Sequence, residues 1–381
     1  MEPKEIMRSV ELHQERYLDF LCTICGFEAK AADKATLDEL AGFIENFARR
    51  EGFQVTRFQF AQCGDFLTVD LNPGAERACL LLAHMDTVHE KGIFGDPPVS
   101  RDEKRIFGPG VNDCKGGIAV ALLMMRALRD CGFEKHIRLL LTSDEEISNI
   151  LGGEQEQDFF RTQSAGFPCA LNCEVTENDQ VVVSRKGILR YRIDITGISG
   201  HSGIHYFDCR NPIAEAAHKI LALEEKSRKS GSTYSCNIIH AGTVGNIIPQ
   251  TCSFTLDIRV PTLAEMKTAE KTAEEITNTA FLPGTSSVLT RVSARPPMEK
   301  TEATMELFRK MQTLSLQYGL GTLTPVESGG GSDSCYTQLA GVPSLCGLGP
   351  SGGGCHTAGE FIFTETLAKR AKLLALFASR G

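Results

Sequence analysis

The sequence predicts an α/β protein: a mixed, mostly parallel sheet flanked by helices, carrying an inserted α+β unit of ferredoxin-like type. Two observations predict this. Four short apolar runs, ACLLLAHMD (78–86), HIRLLLTSDEE (136–146), PCALNCE (168–174) and VPSLCGLG (342–349), each lead into a polar, Gly-rich or acidic segment. Between the first two lies KGGIAVALLMMRALRDCGF (115–133), apolar enough to be a helix packed on a sheet. Strand, helix, strand in that order indicates parallel strands covered by helices. The second observation is a change of texture near Arg190, where period-two alternation and amphipathic helices replace the continuous apolar runs.

In chain order, residues 3–26 and 33–52 show helical spacing of apolar positions, and 54–60 with 65–71 alternate like strands. After the β-α-β portion come YRIDITGIS, the amphipathic helix PIAEAAHKILALEEKSRK, the alternating YSCNIIHAGTV and CSFTLDIRV, the helix LAEMKTAEKTAEEITNTAF and the strand SSVLTRVSA. Together these make a β-α-β-β-α-β unit. The expected division is one domain from 1–187 and 299–381, interrupted by an inserted domain at 188–298. A chain of 381 residues is long enough for two cores of ordinary size.

Composition narrows the function classes. The chain is 42% apolar and 23% charged, with a net charge of −8 and no clustered Lys/Arg stripe, so it lacks the electrostatic footprint for nucleic acid or an anionic membrane. A small-molecule substrate is expected. The first residues lack the basic start and long apolar stretch of a signal peptide, and no apolar run approaches the roughly 18 residues of a membrane span. Fourteen cysteines without an export signal read as reduced thiols, and a cytoplasmic protein is expected.

The chemistry lies where acidic and histidine residues meet the strand ends. His84 and Asp86 end the first run, Glu145 and Glu146 the second, Glu174 the third, and His356 follows the fourth. In open α/β sheets ligands bind outside the carboxyl ends of the strands, so these side chains should converge, and massed carboxylates there call for a cation. Two imidazoles with several carboxylates suit zinc, with cobalt or manganese as alternatives. One ion can take His84 and Glu174, a second Glu146 and His356, with Asp113 bridging them. Asp86 is placed to accept the other ring N–H of His84. Of the adjacent pair Glu145 and Glu146, one can hold metal and the other water.

At these residues the chain resembles the co-catalytic zinc peptidase family that includes bacterial glutamate carboxypeptidase, peptidase T, aminoacylase and acetylornithine deacetylase. The motifs are HMDTV (84–88), GPGVNDCKGG (108–117), SDEE (143–146), the Glu of NCEVTE (172–177), GISGHSG (197–203), GNIIPQ (245–250), the Arg of DIRV (257–260), SGGGSD (328–333) and CHTAGE (355–360). The pattern is most similar to that of bacterial glutamate carboxypeptidase. The resemblance implies two zinc ions on the residues above, Glu145 as general base, and the insertion as a lid that also forms a homodimer. It further implies His201 as a donor to the developing oxyanion, Asn246, Arg259 and backbone around Gly330 as the grip on a substrate carboxylate, and a cis peptide at Asp113–Cys114. Arg185 and Lys186, near the domain junction, are weaker candidates for substrate contact.

The chain also departs from the family. Cys114 stands where the family often has Asp or Met, and Cys173 and Cys355 sit beside Glu174 and His356. Thiols bind zinc well, but the carboxylate and imidazole set is complete without them, so all three are expected to be neighbours rather than ligands. The segment ISNILGGEQEQDFF after SDEE is unusual, and specificity is expected to differ there. The leading expectation is a carboxypeptidase or N-acyl-amino-acid hydrolase. The alternatives are a di- or tripeptide aminopeptidase of the same family and an inactive metal- or amino-acid-binding homologue. A nucleotide-binding reading of the Gly-rich stretches is weaker still, because GPGVNDCKGG lacks the Lys followed by Ser/Thr of a phosphate loop.

Overall fold

The computed structural model describes residues 1–380. The chain forms two compact units: Met1–Ser184 with Lys300–Glu327 and the stretch from Ser332 onward, and Arg185–Glu299 with Ser328–Gly331. Among the described residues no helix is long and apolar enough to cross a membrane.

The first unit is built on a six-stranded sheet in the order Gln54–Phe58, Phe66–Leu71, His136–Thr142, Arg77–His84, Ala170–Asn172, Ser344–Leu345. The first two strands form an antiparallel ribbon joined antiparallel to His136–Thr142, and the remaining pairings are parallel. Residues Cys79, Leu81 and Ala83 join a large apolar cluster with the helices Pro3–Cys25, Lys34–Arg50, Gly116–Asp130 and Thr364–Arg380. Leu80 and Leu82 face the other way, packing with Phe159, Phe160 and Tyr336 from Gly153–Ser164 and Ser334–Leu339. Both faces are covered, which is why this strand reads as an unbroken apolar run. Each Leu buried in this way contributes roughly 1.5–3 kcal/mol relative to exposure.

Helix boundaries follow local chemistry. Pro3 opens the first helix, where its missing N–H costs nothing. The Asp33 side chain accepts the Thr36 N–H to cap the second, which ends on Arg49 and Arg50 against its negative pole. The third strand run shortens to Ala170–Asn172 and the fourth to Ser344–Leu345, because the chain leaves the sheet before its polar residues. The segment ISNILGGEQEQDFF contains a helix, Gly153–Ser164, that buries Glu156 as well as Phe159 and Phe160.

The second unit is a β-α-β-β-α-β arrangement with an antiparallel sheet in the order Thr233–Ala241, Thr251–Val260, Gly187–Thr196, Ser286–Arg295. Its central strand alternates buried and partly exposed positions along its whole length. Phe254, Leu256 and Ile258 pack with Leu189, Tyr191 and Ile193 against Ala216, Leu223, Ala269 and Ala273 of the helices Pro212–Glu224 and Leu263–Asn278. The ferredoxin-like insertion expected from the period-two texture is present.

One close approach sets how the helix Gly116–Asp130 meets the sheet. A Cβ on Gly117 would lie 1.9 Å from the carbonyl oxygen of Cys173, on rigid backbone. Gly117→Ala should therefore destabilise the fold by about 1–3 kcal/mol, the range for overpacking. Gly245→Ala, where nothing lies within 4 Å, should change stability by less than about 0.5 kcal/mol. Urea unfolding of the two variants checks this, and equal stability would contradict it.

Candidate metal centre

His84 is the last residue of its strand and is buried. Glu145 and Glu146 lie in the short helical turn Glu145–Ile147 just beyond the strand His136–Thr142, and Glu174 lies two residues past Ala170–Asn172. Asp113 sits in the turn Val111–Lys115 that enters the helix Gly116–Asp130, and the Asp113–Cys114 peptide is cis. His356 follows the strand Gly352–Gly353 with φ 63°, a left-handed conformation uncommon for a side chain with a Cβ.

These elements bring the ligand-type atoms together in two halves. His84 Nε2 is 3.2 Å from Asp113 Oδ1 and 3.6 Å from Glu174 Oε1. His356 Nε2 is 3.3 Å from Asp113 Oδ2 and 3.3 Å from Glu146 Oε2. Asp86 joins the halves from behind: its backbone carbonyl, rather than the carboxylate expected, is the hydrogen-bond partner of His84 Nδ1 at 3.1 Å, its Oδ1 lies 3.2 Å from the same nitrogen, and its Oδ2 accepts the Glu146 N–H at 3.0 Å. Glu145 is buried beside Glu146.

The electrostatics reflect crowding of like charges. Burial pushes the Glu146 carboxyl up to about 8, with Asp113 adding to the push and His356 opposing it. Hydrogen bonds to Asp113 and Glu146 raise the His356 imidazole to about 10, against its partial burial. Burial would raise Asp113 too, but His356 and His84 hold it well below the usual carboxylate range. For His84, burial favours the neutral ring, and the facing Cys114, Glu174, Asp113 and Asp86 outweigh it, so its pKa lies well above the usual value. Protonated imidazoles thus stand in for cations among these carboxylates.

Beneath the site lies an acidic layer that the strand-end pattern does not mark. Asp144 accepts the Gly152 N–H at 2.9 Å, while burial and the facing Asp86 push its carboxyl up to about 7. Asn149 donates to Glu156 Oε1 and, at 3.1 Å, to Asp333 Oδ1, whose partner oxygen accepts the Thr142 hydroxyl at 2.7 Å. Burial, then Asp144 and Asp333, holds Glu156 protonated well above the usual range. The available signals were the first acid of SDEE and the last of SGGGSD. The unusual segment therefore packs under the Glu145–Glu146 turn rather than standing apart from it.

Of the three cysteines, Cys114 stands with His84 and Glu174 in one group whose ligand-type atoms lie within 4.8 Å of one another. Its Sγ is aimed at the Cys173 carbonyl at 3.4 Å, and burial keeps the thiol protonated. Cys173 is fully buried, and Cys355 accepts from Asn112 Nδ2 at 3.1 Å with its thiol pushed up by burial to about 12.

The remaining candidates belong to the second unit. His201 lies in the two-residue strand Gly200–His201, paired with Ile247–Ile248, and the carbonyl of the neighbouring Asn246 accepts the Ser202 N–H at 3.0 Å. Arg259 binds Asp257 through Nε at 2.6 Å and through its NH2 nitrogen at 3.2 Å, and its NH1 nitrogen faces the Gly329 carbonyl at 3.5 Å. Arg185 donates to the carbonyls of Gly330 and Gly331 at 3.4 and 2.9 Å, and the Lys186 ammonium reaches the Gly231 carbonyl at 2.9 Å. Arg185 and Lys186 are thus engaged by backbone.

The donor set fits divalent ions. It is hard and borderline in character, it divides into two imidazole–carboxylate halves around one shared carboxylate, and Glu146 Oε1 is buried without a hydrogen-bond partner. A cation must displace the imidazole protons, so its binding strengthens as pH rises. The metal-free protein should behave oppositely. His356 and Glu146 both have raised folded-state values, so their contribution to stability is full below the unfolded values and is lost as pH climbs through about 8 and then about 10. Chelator-treated protein should therefore melt at progressively lower temperature between about pH 6.5 and 10, and His356→Gln should flatten the slope. A melting temperature that rises over that window would contradict the assignment.

The sequence matches the model of peptidase family M20/M25/M40 over residues 80–380. It is 27% identical over 361 residues to carboxypeptidase G2 of Pseudomonas sp. (strain RS-16), covering 92% of this chain and 86% of that protein. It is 24% identical over 281 residues to succinyl-diaminopimelate desuccinylase of Rickettsia felis, covering 68% and 73% of the two chains. The fold superposes on a tripeptidase from Staphylococcus aureus with a TM-score of 0.81 over 97% of this chain and 99% of that one, at 18% identity. The chain belongs to peptidase family M20/M25/M40 and is a hydrolase of its metallopeptidase and amidohydrolase kind.

Proposed function

We propose that the chain is a two-metal hydrolase that cleaves the amide bond of a peptide or N-acyl amino acid and releases its C-terminal amino acid. The observation that carries this reading is the division of Asp113, with Oδ1 toward His84 and Oδ2 toward His356. In this reading His84 and Glu174 would hold one ion and Glu146 and His356 the other, with Asp113 available to both. Zinc is the metal these donors favour, with cobalt or manganese as alternatives. The bound pair would polarise the scissile carbonyl and lower the pKa of water toward neutrality.

The chain's own residues then supply positioning and proton transfer. Glu145 accepts a proton from the attacking water as the water oxygen bonds to the carbonyl carbon, and passes it to the nitrogen as the C–N bond breaks. Asp86 orients His84 through Nδ1, by its backbone carbonyl with its carboxylate close by, leaving Nε2 for an ion. His201 is the donor to the developing oxyanion. Arg259, with three of its N–H directions taken by Asp257 and Gly329, keeps others for a substrate carboxylate, assisted by Asn246 and backbone at Gly330. Cys114, Cys173 and Cys355 pack around the cage. Similarity to carboxypeptidase G2 across most of the chain supports C-terminal release over the aminopeptidase alternative.

The test is a panel of N-acyl amino acids, N-blocked dipeptides and free dipeptides given to zinc-loaded protein, with the products identified by mass spectrometry. Blocked substrates should yield a free C-terminal amino acid, whereas cleavage confined to free amino termini would favour an aminopeptidase. Glu145→Gln should keep its metal content and lose about 10³-fold in kcat, within the usual range for general acid–base catalysis. Near-normal turnover would remove Glu145 from that role.

The reading includes a homodimer formed through the second unit. Ile238 and Ile239, 52% and 50% exposed, lie on the sheet's edge strand Thr233–Ala241, and Leu221 is 63% exposed on the helix Pro212–Glu224. An apolar edge left open invites pairing with another chain. Sedimentation velocity at micromolar concentration should show a dimer that Ile239→Lys dissociates, and a monomeric parent protein would overturn this.

A further inference from the structure

We propose that Glu360, backed by His89, is the positioning residue that locks the bridging carboxylate Asp113 to the turn carrying His356, and thereby sets the affinity of the second metal position. The inference rests on the two-metal reading and deepens it. Both residues are buried, and neither supplies a cage ligand.

Glu360 fastens three points of the loop that presents Asp113. Its Oε1 accepts the backbone N–H groups of Asn112 at 2.8 Å and of Asp113 at 3.0 Å. Its backbone carbonyl accepts the Gly108 N–H at 3.3 Å. Amides in the turn before a helix have no acceptor within that helix, and a carboxylate that takes two of them makes charge-assisted bonds stronger than neutral ones.

The other oxygen, Oε2, lies 2.6 Å from His89 Nε2. His89 is five residues past His84 on the same segment, and its ring packs edge-on to Phe94 at 4.9 Å between centroids. The clamp therefore ties together the segments that carry His84, Asp113 and His356.

Glu360 also ends the His356 turn. Its N–H donates to the Thr357 carbonyl at 3.2 Å, and the Thr357 N–H donates to the Gly354 carbonyl at 3.0 Å. Immediately afterward Phe361–Phe363 pairs antiparallel with Arg105–Phe107. Asp113 and His356 lie 243 positions apart in the chain, and this residue holds their segments to one frame.

The two halves of the cage are not equally secured. His84 ends a buried strand, whereas His356 is exposed in a left-handed turn. Loss of the Glu360 clamp should therefore weaken the Glu146–His356 position while the His84–Glu174 position stays occupied. Outer-shell partners of metal ligands typically change affinity by about 10–100-fold.

The experiment is a chelator-competition titration of zinc on the full chain and on Glu360→Ala, Glu360→Gln and His89→Phe, with circular dichroism confirming the fold of each. The parent protein should bind two equivalents. Glu360→Ala should keep one tight equivalent and bind the second about 10–100-fold more weakly. Glu360→Gln should rescue the second site, because an amide oxygen can accept both N–H groups while its NH2 meets the other tautomer of His89. His89→Phe keeps the ring packing, removes the donor and should weaken the second equivalent several-fold.

Folded Glu360→Ala binding both equivalents at parental affinity would overturn the proposal. If that variant does not fold, unchanged second-site affinity in His89→Phe overturns it equally. A parent protein that binds fewer than two equivalents would instead remove the two-metal reading, and this inference with it.

Discussion

The structure depends on confining several carboxylates in one buried place. Asp86, Glu146 and Glu174 are almost wholly removed from solvent, Asp113 is largely so, and Asp144, Glu156 and Asp333 lie directly behind them. Ionised groups taken out of water carry a penalty of several kcal/mol each unless opposite charge and hydrogen bonds compensate it. In the metal-free chain that compensation comes from the His84 and His356 rings and from carboxyls that retain their protons. Divalent ions between the same groups would replace those protons, so metal binding and the stability of this region are one problem.

The scaffold solves it by bringing most of these side chains in on well-packed elements, with His356 entering from a more exposed turn. Parallel strands deliver His84, the Glu145–Glu146 turn and Glu174 to one end of the sheet, and continuous apolar faces fix the strands. The absence of a Cβ at Gly117 lets the helix after Asp113 approach the Cys173 backbone, next to Glu174 in the chain. Asp86 couples the His84 ring to the backbone of Glu146. The acidic layer of Asp144, Glu156 and Asp333, joined by Asn149, packs the following segment against that turn.

The second unit gathers its polar candidates at two places of its own. One is the short ladder of Gly200–His201 with Ile247–Ile248, which sets His201 beside Asn246. The other is the glycine turn at Gly329–Gly331, held by Arg185 and faced by Arg259. A rigid antiparallel sheet with helices on one face suits such a role, because it can present groups from strand ends and loops without disturbing its core.

Much of this was legible in the sequence. A strand buried on both faces must be apolar throughout, so the runs ending at His84, Thr142 and Asn172 announced themselves and marked the polar residues beyond them as convergent. The period-two texture of Thr251–Val260 announced a sheet with one covered face. The sequence by itself therefore determined the two architectures and marked His84, Glu145, Glu146 and Glu174 as candidates at strand ends, because hydrophobic burial imposes a local pattern that can be read along the chain, whereas Asp113 and His356 lie in turns outside those runs. Only the tertiary structure decided how Asp113 divides its oxygens, that Glu156 and Asp333 meet through Asn149, and that Glu360 closes on His89 from 271 positions away. Hydrogen bonds between distant residues depend on how the packed elements align, and no local periodicity records that alignment.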